Sequence, residues 1–158
     1  MEYNNINNED LIKIKEDAIK IQIHDLDDTI KSIENENVKS SFVLGFSGVM
    51  LGIVFNGLDK LLLWQAIVFL LLLISSIIIS LYNISAKKIK IHTNVDEIFV
   101  NNQPKEWEMY LNYKHLHLRN SYGEAKKLLY KKSNLTRISF FLLISSFLFL
   151  TISRIFWR

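Results

Sequence analysis

The sequence contains no cysteine, which excludes disulfides, thiolate metal sites and cysteine nucleophiles. It has a single proline, Pro104, and five glycines in 158 residues, so long stretches contain no helix breaker. Charge is absent from three apolar runs, at 40–56, 61–82 and 138–153. No Ser/His/Asp set, phosphate-binding loop, carboxylate pair or histidine cluster points to catalysis or metal binding. We therefore expect neither an enzyme nor a cofactor.

The three apolar runs have lengths typical of membrane-spanning helices. A hydrocarbon core about 30 Å thick takes ~20 helical residues at about 1.5 Å each, and backbone amides in lipid must be paired within the helix. The runs 40–56 and 61–82 have 17 and 22 residues and form a hairpin. The third, 138–153, has 16, and Arg154 can extend it by snorkelling. The prediction is an all-α membrane protein with three transmembrane helices.

The rest of the chain is predicted to be helical and cytosolic. From about Asn8 onward, apolar residues follow three-four spacing, at Ile12, Ile19, Ile23, Leu26, Ile30 and Ile33. This stripe packs either against the same chain or against another subunit. The four predicted segments are a cytosolic amphipathic helix, a transmembrane hairpin, a basic cytosolic helical segment and a third transmembrane helix, at 1–39, 40–83, 84–137 and 138–158.

Basic residues near the ends of the apolar runs predict the orientation. Ten lysines and arginines flank the runs on the side of the N-terminus, against three on the other side. Because cytoplasmic loops are richer in Lys and Arg, the N-terminus is expected in the cytoplasm and the C-terminus in the periplasm. The predicted location is the bacterial inner membrane.

Small residues recur within the apolar runs. Glycines at steps of three and four share one face of the first span, and a GxxxG motif lies within it. Serines recur along one face of the second and third spans. These residues serve either close helix packing or the lining of a pore. The candidate positions are Gly45, Gly48, Gly52, Ser76 and Ser146.

Residues 84–137 carry eleven Lys and Arg against five acids, an excess of six. Tyrosines lie among these cations, and the combination of phosphate-binding cations with base-stacking rings is typical of nucleotide-binding surfaces. The alternative is ordinary: lysines beside anionic lipid and tyrosines that pack as amphipathic rings. The candidate ligand-binding residues are Lys114, Arg119, Lys126, Lys127, Tyr113 and Tyr122.

A long cytosolic helix, a glycine-bearing hairpin (ENVKSSFVLGFSGVMLGIVF), a central basic segment and a final span headed by YKKSNLTRIS resemble one group of proteins. These are the small membrane effectors of nucleotide-signalled bacterial antiphage systems: Pycsar and CBASS transmembrane effectors, SLATT domains and Hailong-type effectors. The resemblance covers most of the chain and is one of layout. Glu36, Lys39 and Ser40 approximate the acidic, basic and small residues that enter the first span of Pycsar effectors.

The resemblance implies a homo-oligomeric channel or pore-forming effector in the lipid bilayer. Its regulator would be a cyclic nucleotide or short oligonucleotide, supplied by a partner nucleotidyltransferase or cyclase. Two other functions fit the residues. One is a membrane anchor or scaffold that recruits a partner through its N-terminal helix, and the other is a holin-like toxin that needs no ligand.

Overall fold

The computed structural model of the protein describes residues 8–56, 62–85 and 107–156, and these form three helices. They are α1 (Asn8–Phe55), α2 (Leu63–Ser85) and α3 (Trp107–Phe156). The predicted hairpin connection at 57–60 and residues 86–106 of the predicted basic segment lie outside the described residues. Each of the three helices is long and apolar enough to cross a membrane. This confirms the all-helical fold and the three candidate spans.

Helix α1 is 48 residues long and begins at Asn8, where the sequence predicts a helix start. Glu9 and Asp10 occupy its first turn, where the positive end of the helix dipole favours acids. The segment before Gly45 has neither proline nor glycine, so nothing interrupts the hydrogen-bond ladder before the apolar run. The polar and apolar halves therefore form one continuous helix.

The described residues group into two compact units. One contains residues 8–32 of α1 and 107–128 of α3, with Ile19, Leu26, Leu111 and Ala125 in its core. Trp107 Nε1 donates a hydrogen bond to Glu16 Oε1 at 3.2 Å, which joins the two helices of this unit.

The apolar stripe predicted on α1 forms a mostly buried face. Ile19, Leu26 and Ile33 recur every seven residues and are buried, while Ile12 and Ile30 are half-buried. Ile23 is the exception, because its side chain lies at the edge of the stripe and is 39% exposed.

The other unit is a three-helix bundle made by 33–55 of α1, all of α2 and 129–156 of α3. Its buried positions alternate steps of three and four along each helix. That spacing averages 3.5 residues, the period of left-handed coiled-coil packing. Large apolar side chains fill the centre of the bundle, namely Val43, Met50, Val54, Phe69, Leu73, Leu143 and Leu150.

Candidate functional site at one end of the three-helix bundle

Five polar side chains from all three helices meet at the end of the bundle where α2 finishes. Four of them are at least 94% buried, and the fifth, Asn37, is half-buried. None lies inside the central apolar core. We call this group the polar cluster; its members are Asn37 and Ser40 of α1, Asn83 of α2, and Lys132 and Thr136 of α3.

The side-chain amide of Asn83 connects the three helices. Its Nδ2 donates to Ser40 Oγ at 2.8 Å, to Thr136 Oγ1 at 2.9 Å and to the carbonyl oxygen of Lys132 at 3.2 Å. Ser40 and Thr136 also lie 3.4 Å apart, oxygen to oxygen. Because buried amide groups are costly when unpaired, these bonds specify how the three helices are aligned.

The side chain of Lys132 provides a second link between α3 and α2. Its Nζ donates to the carbonyl oxygen of Asn83 at 2.5 Å and to Asn37 Oδ1 at 2.6 Å. Asn83 lies in the last turn of α2, at the negative end of the helix dipole. The ammonium thus caps the negative end of the α2 dipole. Within the described part of the chain, Lys132 pairs with no carboxylate, so this helix end is its counter-charge.

Burial shifts two ionisable groups that precede the apolar runs. Loss of hydration lowers the pKa of Lys132 below its ordinary value of 10.5. At Glu36 burial acts to raise the pKa, but hydrogen bonds from Lys39 and Thr136 outweigh it and hold the pKa below its usual 4.5. The Glu36–Lys39 pair is 2.7 Å long. The carboxylate therefore stays ionised beside the polar cluster.

The opposite end of α2 is closed by a second buried polar side chain. Gln65 Oε1 accepts a hydrogen bond from the backbone N–H of Leu62 at 3.2 Å, which is one half of a capping box. Eighteen residues separate Gln65 from Asn83, or about 27 Å along a helix, close to the ~30 Å hydrocarbon core of a bilayer. The two caps of α2 therefore mark the length of one membrane crossing.

Buried serines line the helix contacts between these two ends. Ser76 Oγ donates to the carbonyl of Ser139 at 2.7 Å, and Ser146 Oγ donates to Leu143 within its own helix, also at 2.7 Å. The hydroxyls of Ser47 and Ser80 are buried and have no hydrogen-bond partner among the described residues. Such groups are destabilising in a dry interior, by about 1–3 kcal/mol each.

The candidate packing and pore residues fall on two different surfaces. Ser76 and Ser146 are buried between the helices. The glycines are exposed, and a Cβ built at any of them meets nothing within 4 Å. The structure of one chain therefore separates the serines from Gly45, Gly48 and Gly52.

The candidate ligand-binding residues lie along one stretch of α3, and their rings and cations contact near neighbours. Lys114 Nζ donates to Tyr110 Oη at 3.0 Å. Lys126 Nζ lies 5.7 Å from the ring centre of Tyr122.

The remaining three candidates are exposed. The ring of Tyr113 packs at 4.6 Å on His117, and Arg119 and Lys127 point to solvent. At about 100° per residue, Arg119 and Lys126 share a side of the helix, whereas Lys127 is turned by about 100° from Lys126. The six residues do not converge on one pocket.

Sequence analysis missed the polar cluster, although a signal for it exists. Ser139, Ser146 and Ser153 recur every seven residues, and one further step back reaches Lys132. A seven-residue step forward from Ser76 reaches Asn83. Among the described residues, no group of three or more His, Cys, Asp or Glu side chains could hold a metal ion.

These features define the class: an all-helical protein whose three apolar helices indicate insertion in a membrane. The chain matches no protein-family model, no curated protein and no solved structure, so the function has to be argued from the residues themselves.

Proposed function

We propose that this protein is a homo-oligomeric channel or pore-forming effector of the bacterial inner membrane, regulated from the cytoplasm by a nucleotide or oligonucleotide in antiphage defence. The observation that carries the channel is the pair of buried hydroxyls without partners, Ser47 and Ser80, between helices that are apolar enough to cross a membrane. Lipid cannot supply hydrogen bonds to these groups, whereas water in an open pathway can.

The buried serines extend this polar path along all three helices. Their hydroxyls alternate with large apolar side chains, which close the path in the present arrangement. A small separation of the helices would let water reach the buried serines. The first charged group along this path would be Lys132 in the polar cluster. That combination suits a pore that is closed at rest and opens by helix movement.

Assembly into an oligomer is supported by the exposed glycines of α1. At about 100° per residue, Gly45 and Gly52 point almost directly away from the buried Ser47 and Val54 positions. Small residues on a lipid-facing surface allow close approach of another helix, as in GxxxG dimers. A second copy is the partner that this face fits, since nothing in the described part of its own chain covers it.

Regulation by a nucleotide is supported by the basic excess of residues 84–137 and by the exposed cations of α3. Arg119 and Lys126 share a side of the helix, and the ring of Tyr122 lies beside Lys126. The antiphage role and the partner nucleotidyltransferase or cyclase come from the layout that the chain shares with the effectors named above. The orientation, with the C-terminus in the periplasm, rests on the distribution of basic residues.

Ion flux through liposomes tests the channel. Purified protein should release potassium, and the double variant Ser47→Ala/Ser80→Ala should release less, because it removes the hydroxyls that open-state water would bind. The same variant should be more stable by about 1 kcal/mol per site, since each buried hydroxyl lacks a partner.

Ser75→Ala is the matched control. Ser75 adjoins the buried Ser76 but is exposed and donates to Leu71 of its own helix at 2.7 Å. It should leave flux unchanged. Absence of flux from the wild-type protein, both with and without an added cyclic nucleotide or short DNA strand, would reject the channel, and equal loss in the control would reject the serine path. Dependence of flux on an added cyclic nucleotide or short DNA strand separates the effector from a holin-like toxin.

A specific observation favours the scaffold as a second candidate. In the unit formed by residues 8–32 and 107–128, Leu11, Ile14 and Ile21 of α1 are 40%, 59% and 62% exposed. Ile14 and Ile21 are seven residues apart and so share a side of the helix. A partner helix, from this chain or another protein, would cover them. Assembly without any flux would favour this function.

A further inference from the structure

A groove between α1 and α3 of the three-helix bundle combines a charged mouth with an aromatic floor. It encloses about 810 Å³. Lys39 and Arg137 lie at one end, and Phe42, Phe140 and Ile144 lie further along. A second cavity of about 240 Å³ shares those three apolar residues and continues to Phe147.

The mouth has a cationic group to spare. Glu36 and Lys39 neutralise each other through their 2.7 Å contact. In the part of the chain that the structure describes, the guanidinium of Arg137 makes no hydrogen bond or salt bridge, although its charge acts through space on Glu36 and helps to lower the pKa of that carboxyl. The half-buried hydroxyl of Ser133 makes no hydrogen bond there. These two residues are one helical turn apart on α3 and line the same mouth. A guanidinium beside a hydroxyl is well suited to a phosphate oxygen.

The floor is entirely carbon. The second cavity is lined only by phenylalanine, leucine and isoleucine side chains, and Phe42 and Phe46 stack there with ring centres 6.3 Å apart. From Arg137 to Phe147 is ten residues, or about 15 Å along the helix. Half of a hydrocarbon core of ~30 Å is also about 15 Å, so the groove has the depth of one leaflet.

We infer that this groove binds one anionic glycerophospholipid, with its phosphate on Arg137 and Ser133 and an acyl chain along the phenylalanines. The occupant must be amphiphilic, because the charged and the carbon-lined parts are continuous. A second copy of the chain would place apolar side chains against the charged mouth, and a free nucleotide would leave the floor uncovered. The lipid site goes beyond the proposed function, since it depends on insertion in a membrane and not on conduction.

Native mass spectrometry of the delipidated full-length protein in detergent tests the site. Phosphatidylglycerol added to this protein should bind at one molecule per chain, while phosphatidylcholine at the same concentration should bind less. Arg137→Gln should weaken phosphatidylglycerol binding about tenfold, the loss expected for one charge-assisted hydrogen-bonded contact. Ser133→Ala should weaken phosphatidylglycerol binding by a smaller factor, and this variant tests the site if Arg137→Gln fails to fold.

Lys131→Gln is the matched control for charge. Lys131 belongs to the same helix and is also exposed, but its Nζ donates to Tyr82 Oη of α2 at 3.2 Å and it does not line the groove. It should retain the lipid. Equal losses in Lys131→Gln and Arg137→Gln would reduce the effect to general surface charge and overturn the site.

The acyl chain is tested separately. Phe140→Ala should weaken binding of lysophosphatidylglycerol, and Ile152→Ala, an exposed residue outside the groove, should not. Glycerol 3-phosphate alone should not bind detectably. Equal binding of glycerol 3-phosphate and the lysolipid would show that the groove binds phosphate and not a lipid. A dimer that forms without lipid and is lost in Phe140→Ala would assign the groove to a second copy of the chain. Either result contradicts the proposal.

Discussion

At the scale of single residues, a buried ammonium group needs acceptors for its protons, and Lys132 finds them on two helices. The carbonyl of Asn83 and the amide oxygen of Asn37 lie 2.5 and 2.6 Å from its Nζ. In return, the carbonyl of Lys132 accepts from the Asn83 side chain. Asn83 and Lys132 therefore join α2 to α3 through two hydrogen bonds, each from the side chain of one residue to the main-chain carbonyl of the other. Loss of either bond would leave a buried polar group without that partner.

Lys132→Met should destabilise the three-helix bundle by about 1–3 kcal/mol, because the substitution leaves the buried carbonyl of Asn83 and the half-buried amide oxygen of Asn37 without this donor. Thermal unfolding in detergent, followed by circular dichroism, measures the change. Lys131→Met is the control. Lys131 is exposed, and loss of its contact with Tyr82 should cost less than about 1 kcal/mol, because a cation beside an exposed ring contributes little. Similar effects of the two substitutions would mean that the buried contacts of Lys132 are not stabilising.

At the scale of secondary structure elements, α1 has two distinct sides within the bundle. One is buried against α2 and α3, with Val43, Ser47 and Met50 at most 2% exposed. The opposite side carries the glycines, and no neighbouring atom limits the size of a residue there. A single chain therefore gains nothing from glycine at these positions and loses helix propensity, about 1 kcal/mol relative to alanine.

Gly48→Leu should weaken assembly in detergent while the single chain stays folded, because the larger side chain forces apart two helices that meet only in the oligomer. Size-exclusion chromatography with light scattering measures the oligomer, and circular dichroism verifies the fold. Ile53→Leu, at an exposed position turned by about 100° from Gly52 and about 140° from Gly48, should have no effect. If Gly48→Leu assembles like the wild type, the glycine face contacts lipid and the oligomer is formed elsewhere.

At the scale of the whole molecule, the first question is on which side of the membrane each part lies. The chain has no cysteine, so single cysteines can be introduced without background. Asp59→Cys and Arg158→Cys should react with an impermeant maleimide added outside the inner membrane, and Gln103→Cys should react only after lysis, as the ten-to-three basic bias predicts. External labelling of position 103 would invert the orientation and the assignment of the basic segment to the cytoplasm.

The second question is which ligand the whole protein binds. Calorimetry with cyclic mononucleotides, cyclic dinucleotides and short DNA strands should detect binding that weakens as salt rises, since phosphates are neutralised by cations. Lys126→Gln/Lys127→Gln should flatten this salt dependence. Tyr113→Ala should lower affinity with the slope unchanged, since base stacking contributes about 1–3 kcal/mol and is not ionic. Absence of binding by every ligand would leave the anchor or holin function.

The sequence by itself determined that the fold is helical and that three stretches are long and apolar enough to cross a membrane. Helix start signals at Asn8, the scarcity of proline and glycine, and the three apolar runs are properties of neighbouring residues along one chain, and such local features persist in the fold. Periodicity also placed serines of the second and third spans on faces that prove to be buried, among them Ser76, Ser80 and Ser146. Periodicity could not tell whether a face of small residues packs against its own chain, and the glycines of α1 pack against none of the described residues.

Only the tertiary structure decided the role of Lys132. By its position the residue continues the seven-residue series of Ser139, Ser146 and Ser153, but its charge predicts a solvated surface lysine. The end of α2 changes that expectation, because the carbonyl of Asn83 in its last turn accepts a hydrogen bond from the ammonium of Lys132. The face of the helix on which a residue lies follows from the spacing of the residues around it. The groups that stabilise a buried charge belong to other helices, and their position depends on where those helices end.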